Sequence, residues 1–285
     1  MKISVNSYSF FQAIEDGRLT LQQLPAKAAE LGFEGMEFTQ LPSDSRENLL
    51  ALAAELKQLT DEAGLPMVAY TCGATLYGTA DEQEAALTHV KTQLDVAAAL
   101  GAKLFRFDVL YRLPVGVSFD AVLRNVAPVM RQIAEYGAEL GIVTTIENHG
   151  LTFQDYDRIE KTYDAVNHPN FALLLDIGNF LCADQDNVMC VSRLAHLAKH
   201  VHLKDFKIAG FLEGGTGSGW FRTRARNYLL GTAVGDGDAR SAQCLDILSA
   251  IGYDGWLSIE FEGPGDCLSE LARGLAFAKA WREEN

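Results

Sequence analysis

Short apolar runs alternate along this chain with longer stretches whose apolar positions recur every three or four residues, and the alternation continues from one end to the other. Strand-like runs are predicted at 3–8, 35–39, 67–72, 103–108, 142–147, 171–176, 200–204 and 256–261. Helix-like stretches fall at 19–31, 48–63, 82–100, 121–140, 156–166, 188–198, 239–251 and 268–281. Several of these stop on a glycine (Gly32, Gly64, Gly101, Gly141, Gly252), the residue that most easily takes the left-handed conformation closing a helix. Eight strand–helix units joined by right-handed crossovers predict an α/β fold, a single (β/α)8 TIM barrel over residues 1–285, for which about 250 residues is the usual size. An open doubly wound sheet would need a phosphate loop after its first strand. That position reads Asn6-Ser7-Tyr8-Ser9-Phe10-Phe11, without a GxGxxG pattern.

The second half carries candidate chemistry at its strand ends. The fifth, sixth, seventh and eighth runs finish at or near Glu147, Asp176, His202 and Glu260. A parallel barrel brings all strand C-termini to one rim, where barrel enzymes keep their catalytic residues. Side chains alternate faces along a strand, so Glu147 shares its face with Thr145 and His149, His202 with His200 and Lys204, and Glu260 with Ser258 and Glu262. Polar companions on the same face belong to a barrel mouth rather than a dry core. Three carboxylates and one imidazole form a mixed oxygen and nitrogen shell, which favours Mn²⁺ or Mg²⁺ and also accepts Co²⁺, Fe²⁺ or Zn²⁺.

Composition narrows the class. A net charge of −14 argues against a nucleic-acid partner, whose phosphates demand Lys and Arg. No apolar run approaches the roughly 20 residues that span a bilayer, and the start, Met1-Lys2-Ile3-Ser4-Val5, reads directly as a strand. The five cysteines are scattered without a CxxC spacing and are expected to be reduced, which suits a cytoplasmic setting. A small molecule is therefore the expected partner, with pairing of outer helices into a homodimer as one option.

Several segments occur in a telling order: Ile146-Glu147-Asn148-His149-Gly150, Leu175-Asp176-Ile177-Gly178-Asn179-Phe180, Val201-His202-Leu203-Lys204-Asp205, Val234-Gly235-Asp236-Gly237-Asp238 and Gly252-Tyr253-Asp254-Gly255-Trp256-Leu257-Ser258-Ile259-Glu260. With Ser4-Val5-Asn6-Ser7-Tyr8-Ser9 and Leu31-Gly32-Phe33-Glu34-Gly35-Met36-Glu37, they resemble the xylose isomerase-like TIM-barrel superfamily, in particular its sugar phosphate isomerase/epimerase branch. The resemblance implies that Glu147, Asp176, His202 and Glu260 are metal ligands. By likeness to the D-tagatose and D-psicose 3-epimerases, it also implies that Glu147 and Glu260 move the proton. Two positions depart from those epimerases: their histidine three residues after the Asp ligand is Asn179 here, and a glutamate six residues after the strand-five ligand falls at Phe153.

The expected activity is a divalent-metal-dependent isomerase or epimerase of a sugar or sugar phosphate, removing a proton beside a carbonyl to give an enediolate. The alternative is a lyase that expels a β-hydroxyl from the same enolate, as the inosose and dehydroshikimate dehydratases of the superfamily do. His149, Asn179, Lys204, Glu37 and Arg106 are the candidate substrate contacts, with His149 and Lys204 suited to protonate a leaving hydroxyl. The superfamily's apurinic-site endonucleases need more histidines than the six present, and a non-catalytic metal binder is the remaining class. The run Glu213 to Trp220 with Arg222, Arg224 and Arg226 is expected to be either a phosphate grip or a flexible glycine loop. Gly235-Asp236-Gly237-Asp238 is expected to form a tight turn and cap the helix that follows.

Overall fold

A computed structural model describes residues 1–43 and 45–285. Eight parallel strands close into a barrel: β1 (Lys2–Asn6), β2 (Gly35–Thr39), β3 (Met67–Cys72), β4 (Leu104–Phe107), β5 (Val143–Glu147), β6 (Phe171–Asp176), β7 (Ala198–Leu203) and, after an excursion, β11 (Trp256–Ile259). Closure occurs where β11 pairs with both β7 and β1, setting Ser258 opposite His202 on one side and Ser4 on the other. Pairings follow chain order because each strand is followed by a helix that returns the chain to the starting end.

The helices bury one apolar face against the barrel. In the helix Phe119–Glu139, Val122, Val126, Val129, Met130 and Ile133 recur at helical spacing and are buried, each worth roughly 1.5–3 kcal/mol relative to exposure. Ser45, Thr79, Ser118, Asp186 and Asp266 cap the helices they precede, each accepting a backbone N–H three residues on. All of the expected glycine stops have positive φ, from 68° at Gly141 to 92° at Gly32. Among the described residues no helix is long and apolar enough to cross a membrane.

Several local expectations differ. The first strand ends at Asn6, because the Asn6 side chain accepts from Tyr8 N (2.8 Å) and turns the chain into a 3-10 turn over Ser7–Phe10. The helix expected at 19–31 begins at Leu24, with Pro25 in its first turn. Most consequentially, the segment after β7 is more than a loop, although the stretch 213–220 itself runs as turns and bends. It builds a three-stranded antiparallel sheet from β8 (Asp205–Ala209), β9 (Phe221–Arg222) and β10 (Tyr228–Thr232), in the order β8-β10-β9.

This small sheet is fastened over the rim. Asp184 accepts from Thr223 Oγ1 (2.7 Å), Ala225 N (2.6 Å) and Asn227 Nδ2 (2.9 Å), and Arg224 pairs with Asp155 at 2.6 Å. Gly231 in β10 lies so close to the loop after β11 that an added Cβ would collide with the Glu262 carbonyl. Only glycine admits that approach. The aspartates of the Gly235–Asp238 turn do not cap the next helix. Asp205 instead reaches across from β8 and accepts from Ala239 N (2.9 Å), Gly235 N (2.9 Å) and Gly237 N (3.3 Å).

Candidate metal centre

Strand register brings the four rim residues together. Asp176 lies opposite His202 between β6 and β7, and His202 opposite Ser258 between β7 and β11, so Glu260 emerges one inward step above Ser258. Glu147 ends β5 on the same inner face. Ligand-type atoms of Glu147, Asp176, His202 and Glu260 all lie within 4.8 Å of one another. His202 Nδ1 is 3.7 Å from Glu147 Oε1 and 3.7 Å from Glu260 Oε2.

Two atoms at this point, His202 Nδ1 and Asp176 Oδ2, are buried without a hydrogen-bond partner. Unpaired buried polar atoms are costly, and a cation between them would satisfy both. The donor set, three carboxylates and one imidazole, fits a divalent metal ion. The surroundings hold these groups in place. Asp176 Oδ1 accepts from Gly178 N (2.7 Å) and Asn179 N (2.9 Å), which leaves Oδ2 for the cluster. Gly178 is required there, since a Cβ would meet the Lys204 carbonyl at 2.5 Å.

A second chain of contacts lies beneath the cluster. Glu37 is fully buried; its Oε1 contacts His202 Nε2 at 2.8 Å and accepts from Asn6 Nδ2 at 2.5 Å, while its Oε2 contacts His200 Nε2 at 2.5 Å. Sequence placed Glu37 at the mouth; it is instead under His202 and lines no part of the cavity. With Nε2–H held by Glu37, Nδ1 is the nitrogen that faces the carboxylates and would give up its proton to a bound ion.

The remaining candidates surround the cavity. Arg106 bridges Glu147 (2.7 Å) and Asp108 (2.9 Å), Asn179 Nδ2 donates to Glu147 Oε1 (2.9 Å), and Lys204 Nζ lies 2.5 Å from Glu260 Oε2 and 3.6 Å from Asp176 Oδ2. His149 Nδ1 contacts Asp108 Oδ1 at 2.9 Å and its ring borders the cavity, which leaves Nε2 for a bound molecule. Sequence reasoning passed over Asp108. Its signal was parity, as a strand-end carboxylate two residues beyond Arg106. Trp220 donates to Thr216 within its own loop and does not line the cavity. Phe153 packs edge-on against Phe119.

Charge sets the acidities. Burial raises the Glu147 carboxyl, but Arg106 and His202 outweigh it and hold the group down to about 2. Burial likewise opposes ionisation of Glu260, yet Lys204 and His202 hold it well below its ordinary range. Asp176 goes the other way: burial, aided by Glu147 and Glu260 and opposed by Lys204, pushes it up to about 6. A raised acid favours the fold while protonated, so its contribution is full below its ordinary value and is lost as pH rises towards about 6. A bound cation reverses this penalty. The gap in melting temperature between ion-loaded and ion-free protein is therefore expected to widen from pH 4 to pH 7. Calorimetry across that range checks it, and a constant gap would refute the account.

Comparison with known proteins places the chain. It matches the family description "Xylose isomerase-like TIM barrel" over residues 25–282. An inosose dehydratase of Mesomycoplasma hyopneumoniae strain J is 27% identical over 146 residues, 48% of this chain and 46% of that protein, so the match spans about half the length of that relative. An inosose dehydratase of Erwinia tasmaniensis is 26% identical over 265 residues, covering 85% of this chain and 83% of that one. Among solved structures, the probable 3-DHS dehydratase AsbF of Bacillus anthracis superposes with a TM-score of 0.76 at 18% identity, covering 98% and 99% of the two chains. The D-allulose 3-epimerase of a Methylomonas species gives 0.74 at 18%, covering 99% and 98%. The IolI protein, whose structure carries a zinc atom, gives 0.75 at 17%, covering 100% and 97%. These structures share the barrel fold. The chain belongs to the xylose isomerase-like TIM-barrel family.

Proposed function

We propose that this chain is a divalent-metal-dependent dehydratase that removes a proton beside the carbonyl of a polyhydroxylated ketone and expels the β-hydroxyl as water. The observation that carries this reading is an ammonium inside the ligand cluster: Lys204 Nζ sits 2.5 Å from Glu260 Oε2 at the cavity wall, a proton donor beside the ion site. Relatives named inosose dehydratase support loss of water over isomerisation. Glu147, Asp176, His202 and Glu260 would hold Mn²⁺ or Mg²⁺, with Co²⁺, Fe²⁺ or Zn²⁺ also suited to the shell. The ion, when bound, would polarise the substrate carbonyl and acidify the neighbouring C–H.

The residues then divide the work. A carboxylate held down to about 2, as Glu147 is, makes a good ligand and a poor base. Glu260, held well below its ordinary range, is in the same position. Imidazole is the side chain whose ordinary titration lies nearest neutrality. His149, oriented by Asp108, accepts the α-proton at Nε2, and the C–H electron pair becomes the enolate. As the carbonyl re-forms, the C–O bond to the β-hydroxyl breaks; Lys204 Nζ, whose ammonium, despite burial, Glu260 and Asp176 hold strongly until an ion would share those carboxylates, gives it a proton, and water leaves behind an α,β-unsaturated ketone. Solvent then takes the proton from His149 and restores the one on Lys204.

Epimerisation is the second reading. It is favoured by the flanking of His202 Nδ1 by Glu147 and Glu260 at 3.7 Å each, since two carboxylates can exchange protons with both faces of a sugar. Product analysis separates the two. With Mn²⁺ and keto-inositol in D₂O, a dehydratase gives a product lighter by one water and absorbing in the ultraviolet. An epimerase gives equal mass with deuterium beside the carbonyl. No conversion and no exchange across a panel of ketoses and keto-polyols would remove both.

A further inference from the structure

We infer that the substrate is uncharged, a polyhydroxylated ketone bearing neither phosphate nor carboxylate; this deepens the enolate reading above and rests on it for the reaction, though not for the charge. Two adjoining cavities of about 220 and 330 Å³ share His149, Lys204 and Glu262 at their common wall. Together they reach the range of roughly 300–1,000 Å³ usual for small-molecule sites. The cations that line them are Arg106, Lys204 and Arg222, and each is already committed to the protein.

Arg106 is shared between Glu147 (2.7 Å) and Asp108 (2.9 Å). Lys204 faces Glu260 at 2.5 Å, Glu262 at 3.5 Å and Asp176 at 3.6 Å. Arg222 lies over the Tyr228 ring at 4.3 Å, and its Nη1 donates to the Arg226 carbonyl at 3.1 Å. Of the other two arginines of the sheet over the rim, Arg224 is spent on Asp155 at 2.6 Å and the Leu151 carbonyl at 3.3 Å, and Arg226 lines neither cavity. Around the ion site, six carboxylates (Glu37, Asp108, Glu147, Asp176, Glu260, Glu262) face these three lining cations. With neutral histidines, a divalent ion still leaves the site one charge negative.

Backbone donors point to the same class. Barrel enzymes that bind phosphate do so with the loops after the seventh and eighth barrel strands and a helix N-terminus. Here several of those N–H groups already have internal anions. Asp205 takes Gly235 N, Gly237 N and Ala239 N, and Glu270 Oε2 takes Ala233 N at 2.8 Å. Asp266 takes Ser269 N at 3.0 Å at the start of the helix Cys267–Glu284. A phosphate would have to evict a carboxylate to gain any of these backbone donors. Neutral hydrogen-bonding groups of the wall, Tyr8, Thr39, Thr71 and Asn179, match hydroxyls instead.

A matched pair tests this. Binding of myo-inositol and of myo-inositol 1-phosphate to the Mg²⁺-loaded full chain is measured by calorimetry, beside turnover of keto-inositol, 3-dehydroshikimate, fructose and fructose 6-phosphate. The uncharged polyol is expected to bind at least ~10-fold more tightly than its phosphate, since like charges brought together at an interface are penalised. The uncharged ketones are likewise expected to be the ones converted. Equal or tighter binding of the phosphate, binding of neither polyol, or preferred turnover of a phosphorylated or carboxylated ketone overturns the inference. Preferred polyol binding without turnover of any ketone supports it while removing the dehydratase reading, so the two failures are distinct.

Discussion

Glu147→Gln is expected to abolish ion binding and turnover together, whereas His149→Gln is expected to keep the ion and lower kcat by about 10²–10⁴-fold, the usual worth of a general base. The two residues are two positions apart on one inner face, yet their surroundings assign them different tasks. Glu147 Oε1 sits 3.7 Å from His202 Nδ1 and accepts from Asn179 at 2.9 Å, while Oε2 meets Arg106 at 2.7 Å. Neutralising it leaves Arg106 with Asp108 as its remaining carboxylate and the shell with one charge fewer, so affinity for a divalent ion collapses while the fold survives. Glu260→Gln would be the poorer test of the shell. Its carboxylate is the nearest partner of the buried Lys204, and breaking a buried pair costs about 3–5 kcal/mol. His149, by contrast, borders the cavity and touches Asp108 rather than the ligand cluster. Titration of both variants with Mn²⁺, followed by steady-state kinetics on keto-inositol, reads the split. Equal loss of ion affinity in the two variants would show that His149 belongs to the shell, and unchanged kcat in His149→Gln would take the base role from it.

Much of this site was legible before any coordinates. Period-two and period-3.6 patterning names eight strands and eight helices, and a parallel barrel has one place for strand C-termini, so Glu147, Asp176, His202 and Glu260 are expected at one rim, and the family resemblance adds that they are ligands. Depth along the barrel axis is another matter. Glu37 has the right face, but only the register, with Asn6 opposite Glu37 and His202 one full step above His200, shows that it lies under the imidazole rather than beside a ligand. Register depends on the stagger between neighbouring strands, which alternation within one strand does not encode. The sheet over the rim was hidden for a different reason. β8 and β10 pair across a connection that includes a glycine-rich stretch and the two-residue strand β9, so no tight-turn signal announces the hairpin. Asp205 was hidden as well. It follows the strand-seven candidates with no role marked in the sequence, and its partners are backbone N–H groups some 30 residues on.

Glu37→Gln should weaken divalent-ion binding by about 10–100-fold without moving a ligand, the range found when a carboxylate that orients a metal-binding histidine is removed. The buried carboxylate accepts from Asn6 and contacts both histidine rings. Burial opposes its ionisation, but His202 and His200 hold it well below the usual carboxylate range, so it stays an anion. An anion at Nε2 keeps the His202 proton there when an ion binds, which leaves the lone pair on Nδ1, 3.7 Å from both flanking glutamates. A neutral amide in its place still accepts one N–H, but it must turn its own N–H₂ towards one imidazole, and the tautomer of His202 loses its anchor. Glu37→Asp keeps the charge and shortens the reach, so affinity should fall between that of the parent and that of Glu37→Gln. The ring nitrogens provide a second readout that does not depend on activity. Nitrogen NMR of the unmodified, ion-free protein should show His202 protonated at both ring nitrogens, since despite burial Glu37 and Glu260 hold its pKa well above the ordinary imidazole value, and, on adding Mg²⁺, loss of the proton at Nδ1 alone. A shift at Nε2, or two ions bound per chain with the second at Glu37, His200 and His202, would mean that the lower cluster is a metal site in its own right and that Glu37 is a ligand.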